Sequence, residues 1–139
     1  MPLDKEYYDK FVNFLDKTIK EVFCEEIENI SKEYHIQYLG AFKVIYKYLP
    51  SNFTIIVENE IRTFDIIILD HEGAKNNLYR IVKFDNQLCK ENIIHAIQIL
   101  KVVLEKGNFD LFFERNNKLY RKNSEGIKRV KDIKELYNR

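Results

Sequence analysis

The stretch 53–84 constrains the fold most, because it is rich in the β-branched and aromatic residues that strands prefer. Two such segments, 53–58 and 61–70, are separated by Asn59 and Glu60, a pair that suits a short hairpin turn. Residues 66–69 are apolar without alternation, which is typical of a central strand covered on both faces. A polar turn around Gly73 leads to a third predicted strand, 78–84, so the sequence predicts a three-stranded meander.

Before this stretch the apolar residues follow a helical period. Intervals of three and four from Tyr8 to Tyr34 predict one long amphipathic helix that begins near Asp4 and is unbroken before His35. Residues 36–49 fit both a helix, with Phe42, Ile45, Tyr46 and Leu49 on one face, and a strand, with Phe42, Val44, Tyr46 and Tyr48 alternating. The helix is the preferred interpretation, with Pro50 as its end, so residues 1–50 are predicted to be helical.

After the meander the pattern returns to a helical period and then to strands. Residues 91–106 predict a helix ended by Gly107, and strands 109–114 and 118–122 flank a turn at Asn116 and Asn117. A last helix is predicted within 128–139. The predicted fold is therefore one α+β domain over 1–139, in which a central mixed sheet of about four or five strands, with a crossover helix, occupies residues 53–126.

Composition excludes several classes of protein. A content of 45% hydrophobic residues argues against disorder, and the apolar runs are too short to span a bilayer. The charged N-terminus lacks the apolar segment of a secretory signal. Cys24 and Cys89 form no CxxC pair, and the three histidines are far apart, so a zinc site is not expected. We expect a cytoplasmic protein with reduced thiols and no membrane partner.

Charge is distributed unevenly although the net charge is only +1. Residues 1–60 carry seven lysines and eleven acids, whereas the segment from Arg115 to the end carries nine basic residues and three acids. Lys and Arg gain affinity for phosphates through counterion release, and a tyrosine there can stack on a base. The candidate nucleic-acid-binding residues are Arg115, Lys118, Tyr120, Arg121, Lys122 and Arg129. The plainer alternative is a solvated hairpin and helix.

An acidic stripe is the corresponding feature of the N-terminal part. Glu21, Glu25 and Glu28 lie on one side of the predicted helix. Such a stripe can bind a basic protein partner, and it is also the ordinary solvated face of a helix.

Two segments, "IRTFDIIILD" and "NIIHAIQILKVVLEKGNFDLFFERNNKLYRKNSEG", resemble the PD-(D/E)xK nuclease superfamily. The predicted order, a meander followed by a crossover helix and further strands, is similar to the restriction-endonuclease-like core of that family. The resemblance implies Mg²⁺ as cofactor, Asp65 as the first metal-binding acid and Lys83 as the active-site lysine. It also implies a role for Gln98 in the helical Gln-xxx-Tyr motif, although Val102 stands in place of the tyrosine.

The active-site motif of that family is broken in this chain. Ile81 stands where the Glu of the Glu-x-Lys pair belongs, so Asp65 lacks its second acid. Magnesium-dependent hydrolysis of a phosphodiester needs two or three convergent carboxylates. Glu58 and Asp70 are the other candidate metal ligands, because both are close to Asp65 in sequence.

Three functions are therefore expected from the sequence. The first is a catalytically degenerate nuclease-like domain that binds nucleic acid or a protein, encoded by a mobile element or a bacterial defence or anti-defence system. The second is a small immunity or anti-defence protein that has another α+β fold and inhibits a protein partner. The third is an active Mg²⁺-dependent DNA endonuclease. The broken Glu-x-Lys pair favours the first over the third.

Overall fold

Eight strands form one antiparallel sheet, in the order in which they follow one another along the chain. The computed structural model describes residues 5–35 and 41–132. The strands are β1 (Ile27–His35), β2 (Ala41–Tyr48), β3 (Phe53–Asn59), β4 (Phe64–Leu69), β5 (Lys75–Asn77), β6 (Leu111–Arg115), β7 (Lys118–Asn123) and β8 (Gly126–Arg129). The helices are α1 (Lys5–Phe23), α2 (Leu78–Ile81) and α3 (Lys90–Lys106), and a 3₁₀ turn, Cys24–Glu26, links α1 to β1.

Helices α1 and α3 lie against each other and cover one face of the sheet, which we call the helix face. Their apolar stripes are buried because residues three and four apart share a side of a helix. The buried apolar residues are Tyr8, Val12, Leu15, Ile19 and Phe23 from α1, and Ile93, Ala96, Ile97, Leu100, Val103 and Leu104 from α3. Lys101 Nζ of α3 donates to Val22 O at 2.9 Å and satisfies a carbonyl in the last turn of α1.

Two tyrosine hydroxyls attach α1 to the first strands. The Tyr34 hydroxyl of β1 donates to Asp9, and the Tyr46 hydroxyl of β2 donates to Asp16 Oδ1 at 3.2 Å. Burial, together with the Asp9 carboxylate, raises the pKa of Tyr34 to about 12. These bonds satisfy the polar end of each ring while the rest of the ring packs in or beside the core.

The opposite side of the sheet, the open face, is only partly covered. In β4, Phe64, Ile66 and Ile68 are buried on the helix face, whereas Asp65, Ile67 and Leu69 alternate with them and are half-buried. The prediction that residues 66–69 are covered on both faces is therefore wrong. Instead, Ile45, Ile56 and Ile67 stand directly opposite one another on β2, β3 and β4 and form an apolar row across the open face.

The α+β class is confirmed, but a mixed sheet of four or five strands with a crossover helix is wrong. All eight strands are antiparallel, and α3 joins β5 to β6, which are neighbours in the sheet. Residues 78–81, predicted to begin a strand, form α2, because Asn77 Oδ1 accepts from Tyr79 N at 2.9 Å and caps a helical turn. The partner of β4 is the short β5, so the expected nuclease-like core is overturned.

The prediction of a helical segment over residues 1–50 is also wrong beyond α1. Helix α1 ends at Phe23, Cys24 adopts a positive φ of 56°, and residues 27–35 and 41–48 are strands. The alternating Phe42, Val44, Tyr46 and Tyr48 are all buried, and a helix cannot place all four on one face. Residues 36–40 lie outside the described residues.

At the C-terminal end the hairpin is confirmed and the last helix is not. Asn116 and Asn117 have φ of 53° and 63°, as a two-residue turn of type I′ requires. Gly107 ends α3 with φ 63°, also as predicted. Lys128 and Arg129, which were predicted to begin a helix, are in β8, and residues 133–139 lie outside the described residues.

A β-bulge interrupts the pairing of β1, the outer strand on one side of the sheet. The register shifts between Asn29 and Ser31, and Ile30 is 56% exposed. Asn29 Nδ2 donates to Ile45 O at 3.1 Å and to Ser31 O at 3.2 Å, so the side-chain amide occupies the gap in the ladder.

The strand assignment of β2 can be tested with two adjacent substitutions. Val44→Thr places a hydroxyl in the core and should lower the free energy of unfolding by about 1–3 kcal/mol. Ile45→Thr, on the open face, should lower it by less than about 1 kcal/mol. Urea unfolding measures both. A larger loss for Ile45→Thr would support the helix, in which Ile45 faces the core.

Candidate nucleic-acid interface

The two halves of the sheet are joined through β5, whose backbone pairing is short. It makes three residue pairs with β4 but only one, Lys75 with Phe112, with β6. Side chains supplement this junction: Asn76 Nδ2 donates to Asp110 O at 3.0 Å, and Asn123 Nδ2 donates to Asp110 Oδ1 at 2.9 Å. Asn76 and Asp110 are buried, so these bonds are shielded from competing water.

An ion pair ties the turn after β4 to β7. Lys122 Nζ lies 2.7 Å from Asp70 Oδ2 and also contacts Glu72 Oε1. Asp70 Oδ1 accepts from the backbone N–H groups of Glu72 and Ala74, both at 2.9 Å. Burial acts to raise the pKa of Asp70, but the hydrogen bonds from Lys122, Ala74 and Glu72 outweigh it and lower the pKa below 3.8. The hydrogen bonds to Asp70 and Glu72 raise the pKa of Lys122.

A cleft of about 670 Å³ opens beside the junction of β5 and β6. We call it the open-face cleft, since several of its lining residues lie on that face. Apolar residues, Ile67, Phe112, Phe113 and Leu119, form much of its lining. The other lining residues are Glu72, Gly73, Lys75, Asn76, Asn77, Arg80, Glu114 and Arg115.

Next to the cleft, four residues stand in register across β5, β6, β7 and β8. Lys75 is paired with Phe112, Phe112 with Arg121, and Arg121 with Lys128. Directly opposite residues of an antiparallel sheet project to the same side, so all four share the open face. We call this set the basic row. Lys75 and Lys128 are exposed, and Phe112 and Arg121 are half-buried.

The other predicted nucleic-acid-binding residues are, by register, on the opposite side of the hairpin, although Arg115 at the end of β6 also lines the open-face cleft. The Tyr120 and Phe113 rings stack with centroids 5.3 Å apart, and the Arg115 guanidinium lies over the Phe113 ring at 5.2 Å. By register, Lys118 and Arg129 share this side. One face of the Tyr120 ring is thus already covered, and Lys122 is held by Asp70. Of the predicted set, only Arg121 belongs to the basic row.

The nuclease candidates do not converge. Glu58 and Asp65 are directly opposite each other on the open face, and Lys43 is opposite Glu58 on its other side. Asp70 has both carboxylate oxygens engaged in the turn and with Lys122. Lys83 is exposed after α2 and is in no strand, and Gln98 is exposed on α3, which covers the other face of the sheet.

Magnesium does not fit this arrangement. Within residues 5–35 and 41–132, no three His, Cys, Asp or Glu side chains are grouped so that they could hold a metal ion. A Glu58–Asp65 pair offers two carboxylates, which is short of the ligand set expected for a two-metal nuclease, and Lys43 adds a competing positive charge.

The acidic stripe is dispersed over three elements. Glu21 is in α1, Glu25 is in the 3₁₀ turn and Glu28 is in β1. All three are exposed, and Glu28 stands opposite Lys47 of β2. Because the helix ends at Phe23, the helical stripe on which the protein-partner hypothesis depended does not form.

Sequence reasoning missed Lys75, Phe112 and Lys128 of the basic row. Their alignment depends on strand register across a 33-residue connection from β5 to β6, and no local pattern specifies it. A weak signal was present in the hairpin, where Arg121 pairs with Phe112 once Asn116 and Asn117 fix the turn.

Comparison with protein-family models, with curated proteins and with solved structures finds no significant match to this chain. None of the described helices is long and apolar enough to cross a membrane.

The Asp70–Lys122 pair predicts a pH-dependent contribution to stability. Lys122→Met should lower the free energy of unfolding at pH 7 by about 1–3 kcal/mol, because the buried Asp70 carboxylate loses its charged partner. Since the pKa of Asp70 is lowered by folding, the stabilisation is present above the ordinary value of 3.8 and is lost as the pH falls through the lowered value.

Urea unfolding at pH 7 and at pH 2–3 measures the difference, with acid conditions chosen to protonate most carboxylates. Lys118→Met, an exposed change on the same strand, is the matched control and should stay within about 0.5 kcal/mol of wild type at both pH values. If Lys122→Met lowered the free energy of unfolding by the same amount at both pH values, the role of the ion pair would be contradicted.

The Glu58–Asp65 pair predicts a gain of stability when one charge is removed. Like charges directly opposite on a sheet are destabilising, so Asp65→Asn should stabilise by about 0.2–1 kcal/mol at low ionic strength. The alternative is that Glu58 and Asp65 bind Mg²⁺ together. Thermal unfolding with and without about 5 mM Mg²⁺ tests it, because weak sites have dissociation constants on the order of millimolar. A Mg²⁺-induced stabilisation of the wild type that Asp65→Asn abolishes would restore the metal site.

Proposed function

We propose that this protein is a non-catalytic module that binds single-stranded nucleic acid along β5–β8 on the open face of the sheet. The observation that carries the proposal is the basic row, in which an aromatic side chain, Phe112, stands between the cations Lys75 and Arg121, with Lys128 beyond. Cations contact phosphates and an aromatic ring contacts a base, so the row offers both groups that such a ligand needs.

The dimensions of the row suit several nucleotides. Strands of a sheet are about 4.8 Å apart, so the row extends over about 14 Å from β5 to β8. A strand lying across the sheet places about two to four phosphates over that distance, given a spacing from about 3.4 Å upward. Lys75, Arg121 and Lys128 can then each approach a different phosphate, and each contact releases counterions.

A sheet face favours a single strand over a duplex. One common class of RNA-binding domain uses a four-stranded sheet in this way and stacks unpaired bases on the aromatic side chains of its exposed face. Phe112 is only half-buried, and its neighbours in the row are long, flexible cations rather than bulky groups. Bases in a duplex have their faces covered by stacking, so they cannot use such a ring.

The distribution of charge on the open face directs the strand towards β5–β8. At the other end of this face, Glu33, Lys43, Glu58 and Asp65 are in register, with three acids and one cation. On the open face of β5–β8, by contrast, the cations Lys75, Arg121 and Lys128 accompany the acid Glu114. A polyanion is thus repelled from one end of the face and attracted to the other.

A cytoplasmic location is part of this proposal. Cys24 and Cys89 are both free thiols, and a reducing compartment with nucleic acid suits such a protein.

The basic row predicts which charges control binding. A double variant, Arg121→Glu with Lys128→Glu, should weaken binding of a fluorescein-labelled single strand of about 15 nucleotides at least about tenfold, and should reduce the salt slope by about 1.4. Anisotropy titrations at several salt concentrations measure both. Lys122 is left unchanged, because reversing it would break the pair with Asp70 and confuse stability with binding.

Lys10→Glu with Lys17→Glu, on exposed positions of α1, is the control with the same change of net charge. It should weaken binding by less than about threefold, which is the part of the loss of affinity that arises from the overall charge. Equal losses for the two double variants would show a nonspecific charge effect and would overturn the interface. Wild-type protein that fails to bind DNA or RNA single strands at low salt would overturn the function and favour a protein partner.

A further inference from the structure

The open-face cleft has a size and composition that the basic row alone does not explain. At about 670 Å³ it falls within the range of about 300–1,000 Å³ that is typical of sites for small organic ligands. Its surface is mainly apolar, with a few polar groups that come from separate elements, as in such sites.

Three cations from three elements line the cleft: Lys75 from β5, Arg80 from α2 and Arg115 from β6. Two acids, Glu72 and Glu114, line it as well, so the lining carries three cations against two acids. The balance of charge at the cleft is therefore positive, and the complementary ligand is an anion.

The apolar part of the surface is suited to a flat ring. Ile67 and Leu119 are half-buried residues of β4 and β7, and Phe112 lies between them in the sheet order. A ligand that combines a flat ring with an anionic group matches these two parts of the cleft. A nucleotide has this combination, with its base as the ring and its phosphate as the anion.

Lys75 and Phe112 belong to both the cleft and the basic row. A single strand that lies along the row therefore passes the mouth of the cleft, and one of its nucleotides can turn into it. This continuity selects a nucleotide over other ring-containing anions.

We infer that the open-face cleft is a subsite for one nucleotide, with the base against Ile67, Phe112 and Leu119 and the phosphate near Lys75, Arg80 and Arg115. The inference rests on the proposed function, which it deepens by assigning one position of the bound strand. The subsite accounts for the lining of the cleft, whereas the row by itself needs only a flat surface.

A free mononucleotide tests the subsite directly. Uridine and adenosine 5′-monophosphates should bind the intact protein, and methyl resonances of Ile67 and Leu119 should shift in ¹³C NMR titrations while those of Ile127, on the far side of the hairpin, should not. Uridine without phosphate and inorganic phosphate alone should each bind at least about tenfold more weakly, since each fills only part of the cleft.

Two variants localise the site, with a matched control. Arg115→Gln removes one cation of the cleft and should weaken mononucleotide binding about fivefold or more. Lys118→Gln removes the cation directly opposite Arg115 in the hairpin, outside the cleft, and should change it less than about twofold. Leu119→Trp fills the cleft and should also abolish the shifts at Ile67. The Leu119→Trp variant keeps both Arg115 and Phe113, so it tests the inference independently of the contact between them.

The outcomes separate the inference from the proposed function. If single strands bind through the basic row but mononucleotides cause no shift at Ile67 and Leu119, the subsite is refuted and the proposed function stands. If mononucleotides bind in the cleft while oligonucleotides bind no more tightly, the proposed function fails and the cleft is a small-molecule site. Equal binding of inorganic phosphate and mononucleotide refutes the nucleotide assignment, and no binding of any probe refutes both.

Discussion

The hydrogen bond from Asn76 to the carbonyl of Asp110 is the interaction on which the continuity of the sheet depends. It lies where β5 and β6 share one residue pair, so the backbone ladder alone would hold the second half of the sheet weakly. Asn123 reinforces it through the Asp110 carboxylate, and Lys122 adds an ion pair to Asp70. Without these side chains the three-stranded unit β6–β8, in which β7 and β8 contain no fully buried residue, would lose its fixed position beside β5.

The same junction creates the candidate site. A full ladder between β5 and β6 would close the space that becomes the open-face cleft, and a complete break would separate Lys75 from Phe112 and Arg121. Coverage by helices on one side only leaves the other side of the sheet available. The half-buried Ile67, which the unbroken apolar run 66–69 already contained, then lines the open-face cleft instead of a second core.

Local chemistry made part of this fold predictable. Asn116 and Asn117 specified a turn, Gly107 ended α3, and the β-branched residues of β3 specified a strand. The prediction was wrong where a helical period and a strand period overlap. Ile27 and Tyr34 continue the helical spacing of α1, yet they pair with β2. They do so because the four alternating aromatic and β-branched side chains of β2 are buried only in a sheet. The strand predicted over 78–84 failed because Asn77 caps a helical turn. The basic row depends on long-range register, and the nuclease resemblance rested on an order of elements that does not occur.

The bulge in β1 has a consequence for the protein in concentrated solution. Among the described residues β1 and β8 are the outer strands, and a regular outer strand is a template on which a second sheet can grow. At β1 the displaced Ile30 and the amide of Asn29 spoil the repeat that an incoming strand would have to match. At β8 the strand is short, and Lys128 and Arg129 repel a second copy. The charges of Lys128 and Arg129 protect β8 only while no anion neutralises them. In a complex with a polyanion, protection against edge-to-edge polymerisation therefore depends on the geometry of β1.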